Sequence, residues 1–115
     1  MSSKIPIENA QFTLYYLLMA VDGTITDAEK NMFVNIVSGV GGFRRSYAES
    51  IFNGMHKFKH LLNYKHAIST LSQAPLEDKQ KTIRVMREIG FADGNYGEAE
   101  GKFLVKVQQD LGLIT

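Results

Sequence analysis

Asp22-Gly23-Thr24-Ile25-Thr26-Asp27-Ala28-Glu29 returns 71 positions later as Asp93-Gly94-Asn95-Tyr96-Gly97-Glu98-Ala99-Glu100. The agreement extends on both sides. Downstream, Met32, Phe33, Ile36 and Val40 fall on Phe103, Leu104, Val107 and Leu111, and Gly41 falls on Gly112. Upstream, Phe12, Leu14, Tyr15 and Leu18 fall on Ile83, Val85, Met86 and Ile89. Residues 11–41 and 82–112 therefore read as two copies of one unit, joined by a connector over 42–81. The period is too long and the copies too few for a solenoid. An internally duplicated single domain over 1–115 is the better reading.

Each copy reads as helix–loop–helix. The spacings 32, 33, 36, 40 and 103, 104, 107, 111 are helical stripes. Thr26-x-x-Glu29 is a capping box, so a helix is expected to start near Asp27. In the second copy Gly97 stands where that threonine would be and Glu100 keeps the third position, a weaker start. Gly41 and Gly112 follow the last apolar residue of each stripe, where helices favour a terminal glycine. The first helices are expected over about 8–21 and 75–91. Pro75 suits a first turn, and Glu77 and Asp78 face the positive end of the helix dipole. In the connector, Tyr47, Ala48, Ile51, Phe52 and Met55 make one apolar face and Tyr64, Ala67, Ile68 and Leu71 another. Period-two alternation is absent. The expectation is an all-α, compact bundle of six or seven helices, counting a short extra turn near 57–61.

The composition narrows the function. Of 115 residues, 44% are hydrophobic and 22% charged, enough apolar content to exclude disorder as a description of the whole chain. The absence of cysteine removes disulfides, thiol nucleophiles and sulfur-ligated metal sites. A net charge of +1 points to neither nucleic acid nor membrane. The N-terminal residues lack the continuous apolar run of a signal peptide, and the longest such run, 14–21, is too short to span a bilayer. A cytoplasmic protein is expected.

The repeated motif carries the candidate chemistry. Set against an EF-hand loop it fits only the second half: Asp22 and Asp93 take position five, Gly23 and Gly94 six, Glu29 and Glu100 twelve. Positions one and three would be Leu18 and Ala20, or Ile89 and Phe91, none of which ligates a cation. Pooled, however, Asp22, Asp27, Glu29, Asp93, Glu98 and Glu100 are six carboxylates. Brought together about a pseudo-twofold axis, they would repel unless a divalent cation or basic side chains offset them. The competing reading is plain local chemistry. Aspartate-glycine is turn sequence, and the glutamates cap helices.

The paired motifs, Val21-Asp22-Gly23…Glu29 and Ala92-Asp93-Gly94…Glu100, resemble those of the tellurite-resistance TerB-like family. They are also similar to the N-terminal domain of a DnaJ-like membrane co-chaperone. The resemblance spans roughly residues 8–113. It implies an all-helical fold, a divalent-metal site (Ca, Mn or Zn) at the paired acidic motifs, a role in metal or chemical stress response, and protein partners or self-association. Val21 stands where the family usually has alanine, and Gly97 departs from its pattern at the second helix start.

Other constellations weigh less. His56 and His60 are four apart, a spacing that could place both on one helical face, but Lys57 and Lys59 between them oppose a cation. Residues 42–66 carry five basic residues against one acid, a net +4, between acidic repeats. Phe58 and Tyr64 within that stretch are expected in the core, so specific nucleic-acid binding is not expected, and an acidic protein partner or a second copy suits the charge better. Tyr15 and Tyr16 read as core. No nucleophile motif or phosphate-binding loop is present, and the chain is not expected to be an enzyme. The two functional readings are a binding module that takes a divalent cation or a protein through its acidic loops, and a scaffold whose acidic motifs are only caps.

Overall fold

The structure, a computed structural model, describes residues 5–21, 23, 25–92 and 97–114. Among these residues the chain is all-helical, with no strand. Six α-helices follow in order: α1 Ile5–Ala20, α2 Asp27–Gly39, α3 Arg45–Lys57, α4 Tyr64–Ser72, α5 Leu76–Ala92 and α6 Glu98–Asp110. A short 3-10 turn, Lys59–Leu61, lies between α3 and α4, where the sequence suggests an extra turn.

Helix α1 is the centre of the bundle. Gln11, Phe12, Leu14, Tyr15, Tyr16, Leu18 and Met19 are all buried, so nearly its whole circumference is covered. A helix apolar all round belongs inside. It packs against α3, α4, α5 and α6. The Phe12 ring lies 5.0 Å from Phe43, 6.1 Å from Tyr15 and 6.2 Å from Phe33, so one side chain joins three parts of the chain. Tyr15 and Tyr16 are core residues, as expected.

The positions matched between the two sequence copies are buried in the upstream helices. All eight upstream matches are buried: Phe12, Leu14, Tyr15 and Leu18 on α1, and Ile83, Val85, Met86 and Ile89 on α5. Gln11 and Thr82 occupy the same position of the two copies, and both are buried. Gln11 Nε2 donates to Thr82 Oγ1 at 3.0 Å. This contact lies where α1 and α5 pack on each other. Reciprocally, α2 packs on α5 and α6 on α1.

The downstream halves pack differently. In α6 the expected stripe is buried at Leu104, Val107 and Leu111. In α2 the buried residues are Phe33, Val34 and Val37, while Val40 is 42% exposed. The buried face of α2 is shifted from the predicted 32, 33, 36, 40 stripe: Phe33 is kept, Met32 and Ile36 are half-buried, and α3 and α5 both pack on the helix. Arg45 of α3 also reaches the Asn35 side-chain oxygen of α2. In the connector, Ala48 and Phe52 of α3 and Ala67 and Leu71 of α4 are buried, the centres of the two expected faces.

The helix ends differ as well. Gly112 has φ +75°, Leu113 N–H donates to Gln108 O at 2.8 Å and Gly112 N–H to Gln109 O at 3.0 Å, a Schellman ending. In the first copy the left-handed residue is Gly42, φ +78°, not the predicted Gly41. Gly41 is required for another reason: a Cβ there would lie 2.3 Å from the Val37 carbonyl oxygen.

Candidate functional site

Both helix starts receive a glutamate on the N-cap amide. Thr26 is the N-cap of α2: its Oγ1 accepts from Glu29 N–H at 3.2 Å, and Glu29 Oε1 accepts from Thr26 N–H at 3.0 Å. The predicted capping box is present in full, and α2 starts at Asp27 as expected. Gly97 is the N-cap of α6 and has no side chain to offer. Glu100 Oε1 still accepts from Gly97 N–H, at 3.4 Å. Glu29 is half-buried and Glu100 buried, whereas Asp27 and Glu98, at the first helical positions, are exposed. Glu98 pairs with Lys102 at 3.0 Å.

Of the six candidate carboxylates, Asp22 and Asp93 lie outside the described residues, and so does the convergence expected of them. Among the described residues no three His, Asp or Glu side chains come together as a metal ion needs. The EF-hand comparison fails on geometry as well as on ligand type. Its first loop positions fall on Leu18 and Ile89, which are buried within α1 and α5.

The histidine pair is divided. Helix α3 ends at Lys57, so His60 lies on the 3-10 turn and the two rings do not share a helical face. Instead, His56 Nδ1 is hydrogen-bonded to the Tyr16 hydroxyl at 2.9 Å, and its ring stacks on Phe52 at 5.8 Å. The pair ties α3 to α1. Burial pushes the Tyr16 phenol above its usual range.

Phe58, expected in the core, is 49% exposed. The chain leaves the helix at this residue, with φ −113° and ψ 33°, so the ring falls out of phase with the buried face of α3. Tyr64 is half-buried. Its hydroxyl donates to Asp110 Oδ2 at 2.7 Å, Lys106 pairs with the same oxygen at 3.2 Å, and the Lys106 ammonium lies 5.1 Å from the Tyr64 ring centre. This cluster fastens α4 to α6 and is not visible in the sequence, since Tyr64 and Asp110 are 46 residues apart. Burial, reinforced by the Asp110 carboxylate, raises the Tyr64 pKa, and the Tyr64 hydroxyl in turn lowers that of Asp110.

No helix among the described residues is long and apolar enough to cross a membrane. The fold is an all-helical bundle in which α2 and α6 each open on an acidic first turn. The family model for tellurite resistance protein TerB matches residues 8–114, and the chain belongs to that family. No curated protein and no solved structure gives a significant match.

Proposed function

We propose that this chain is a non-catalytic, cytoplasmic TerB-family module of metal or chemical stress response. In this reading it takes a divalent cation, a protein partner or both at its two Asp-Gly…Glu junctions. The supporting observation is that the same acidic helix start occurs twice. At each junction an exposed acid, Asp27 or Glu98, opens the helix, and a second, Glu29 or Glu100, turns back to the N-cap amide. Asp22 and Asp93 complete the proposed ligand set, and oxygen ligands of this kind suit hard divalent cations. Titration calorimetry of metal-stripped protein with Ca²⁺, Mn²⁺ and Zn²⁺ tests the reading. A saturable heat that Asp93→Asn diminishes is expected, and no heat with any of the three would reject the metal site.

A second reading is favoured by a specific observation. Glu29 and Glu100 already serve as caps, and Glu98 already pairs with Lys102. On that reading the junctions stabilise a scaffold and the partner binds elsewhere. Sequence-selective nucleic-acid binding belongs to neither reading.

A further inference from the structure

A cavity of about 460 Å³, the size of a small-molecule site, opens between α5 and the end of α6. The helical period builds one wall. Gln80, Arg84, Arg87 and Glu88 stand at i, i+4, i+7 and i+8 along α5, a single stripe of that helix. Ile83, a core residue of the same helix, lines the cavity as well. The facing wall is Gln108 of α6 and Leu113 just beyond its end. That wall is set by the helix ending: Gly112 takes φ +75°, and Leu113 N–H donates to Gln108 O at 2.8 Å.

Charged groups line this cavity directly. Arg84, Arg87 and Glu88 are exposed. Among the described residues neither arginine is in an ion pair, a hydrogen bond or a ring contact. The two are three positions apart and of like sign, an arrangement that costs a helix stability rather than adding to it. Glu88 is four positions from Arg84, the spacing of a helical ion pair, yet makes no bridge to it. The side-chain amides of Gln80 and Gln108 make no hydrogen bond among the described residues either. Fold stability therefore draws on none of these polar groups, whereas Ile83 and Leu113 are packed with the core.

We propose that this cavity binds a monocarboxylate with a short apolar body, presented by a free acid or by the last residue of a peptide. The carboxylate is taken by Arg84 and Arg87, whose planar forks match its two oxygens. The apolar body lies against Ile83 and Leu113. Two guanidiniums and the Glu88 carboxylate leave the lining at +1, so one negative charge balances it and a phosphate dianion overshoots. A neutral hydrocarbon would leave the arginines and the amides unanswered. No described residue of the acidic junctions lines the cavity, so this site and the proposed metal site stand or fall separately.

Titration of the isotope-labelled protein with isovalerate, followed by NMR, decides the matter. Saturable shifts are expected at the Ile83 and Leu113 methyls and at the Arg84 and Arg87 side-chain N–H groups. Isovaleramide and isopentylamine lack the negative charge and acetate lacks the apolar body, so each should bind at least tenfold more weakly. Isopentyl phosphate should also bind more weakly than isovalerate, and Glu88→Gln should reverse that preference. Arg84→Gln with Arg87→Gln should weaken isovalerate binding at least tenfold. Arg84→Lys, which keeps the charge and loses the fork, should weaken it several-fold. These sites are exposed, and circular dichroism and melting of each variant confirm that it is folded. Acetyl-glycyl-leucine separates the two sources. Tighter binding than isovalerate assigns the site to a peptide C-terminus, and equal or weaker binding assigns it to a free acid. Equal binding of isovalerate and its amide overturns the proposal. So do shifts that grow without saturating, tighter binding of the phosphate by wild type, or indifference to the double arginine variant.

Discussion

The side chains of Gln11 and Thr82, 71 residues apart and buried, are hydrogen-bonded to each other at the same position of the two copies. Gln11 also donates to the Asp78 carbonyl at 3.3 Å, and the Thr82 hydroxyl donates to that carbonyl at 2.7 Å. Polar groups this deep must be satisfied, and these satisfy one another where the copies meet. Thr82→Val should cost about 1–3 kcal/mol, because the Gln11 amide loses its closer acceptor inside the core. Gln11→Leu with Thr82→Val should cost less than the sum of the single changes, since the Gln11 amide is no longer left without its acceptor, while the buried Tyr15 hydroxyl loses its Thr82 contact in either background. Urea unfolding of the four proteins measures the coupling. Strict additivity would mean that the Gln11–Thr82 contact carries no energy.

The two helix starts keep the same glutamate at the third position but differ in the N-cap residue, Thr26 against Gly97, which makes them a useful pair for testing capping. Thr26→Ala should cost about 1 kcal/mol. Gly97 has φ −87° and ψ 172°, extended backbone open to any residue. Gly97→Ser should therefore stabilise the protein by a few tenths of a kcal/mol, because serine supplies the missing acceptor. Denaturant midpoints at constant m-value read both effects. A loss of stability in the serine variant would show that the junction needs glycine for some other reason.

The glycines after α2 and α6 act through different physics. At Gly112 a Cβ meets open space and only the left-handed backbone resists it, so Gly112→Ala should cost about 1 kcal/mol. At Gly41 the added Cβ meets backbone of Val37, which cannot swing aside. Gly41→Ala should be the more damaging change in a thermal melt, and the reverse order would contradict the packing described for the end of α2.

Alkali should unfold the protein through its tyrosines. Burial raises the Tyr15 pKa, with Thr82 opposing, and raises those of Tyr16 and Tyr64. In the unfolded chain tyrosine ionises near pH 10. The stabilisation from the neutral phenols is present in full below that pH and is lost as pH rises above it. The phenolate absorbance that Tyr15→Phe removes should develop only as the helical circular dichroism collapses. Its appearance at pH 10 with the helices intact would contradict the buried position. Asp110 works in the opposite sense. The Tyr64 and Lys106 contacts hold its pKa below the ordinary value near 4, so its contribution is present above that pH and fades as pH falls. Tyr64→Phe should move the Asp110 carboxyl titration, followed by NMR, back up.

Local chemistry was the most legible part of the sequence. The Thr26–Glu29 box declares itself in four residues, and the start of α2 follows from it. Burial of the eight upstream positions was legible because the repeat supplied each with an independent witness. The face of α2 was only partly so, because it is set by packing partners, α3 and α5, that spacing within α2 cannot reveal. The glycine ending was displaced by one residue for a related reason: Gly41 and Gly42 are adjacent, and only the close approach to Val37 assigns their separate roles. Phe58 was misplaced because the helix that would have buried it stops one residue earlier. The acidic residues were legible as a repeated pattern, but a carboxylate at a helix start looks the same whether it caps, binds an ion or does both.

Thermal melting with and without chelator, at fixed ionic strength, tests the central claim most directly. Wild type and the Asp93→Asn, Glu100→Gln and double variants are compared in millimolar Ca²⁺, Mn²⁺ and Mg²⁺ and micromolar Zn²⁺. Gln can still accept the Gly97 N–H, so the cap survives while the charge is lost. If the junctions bind a cation, the wild-type melting temperature rises with ion concentration as the native state is selectively occupied. Each single variant should lose much of that rise, and the double variant nearly all of it. A wild-type melting temperature unchanged by every ion would contradict the metal site and leave the junctions as caps on a scaffold.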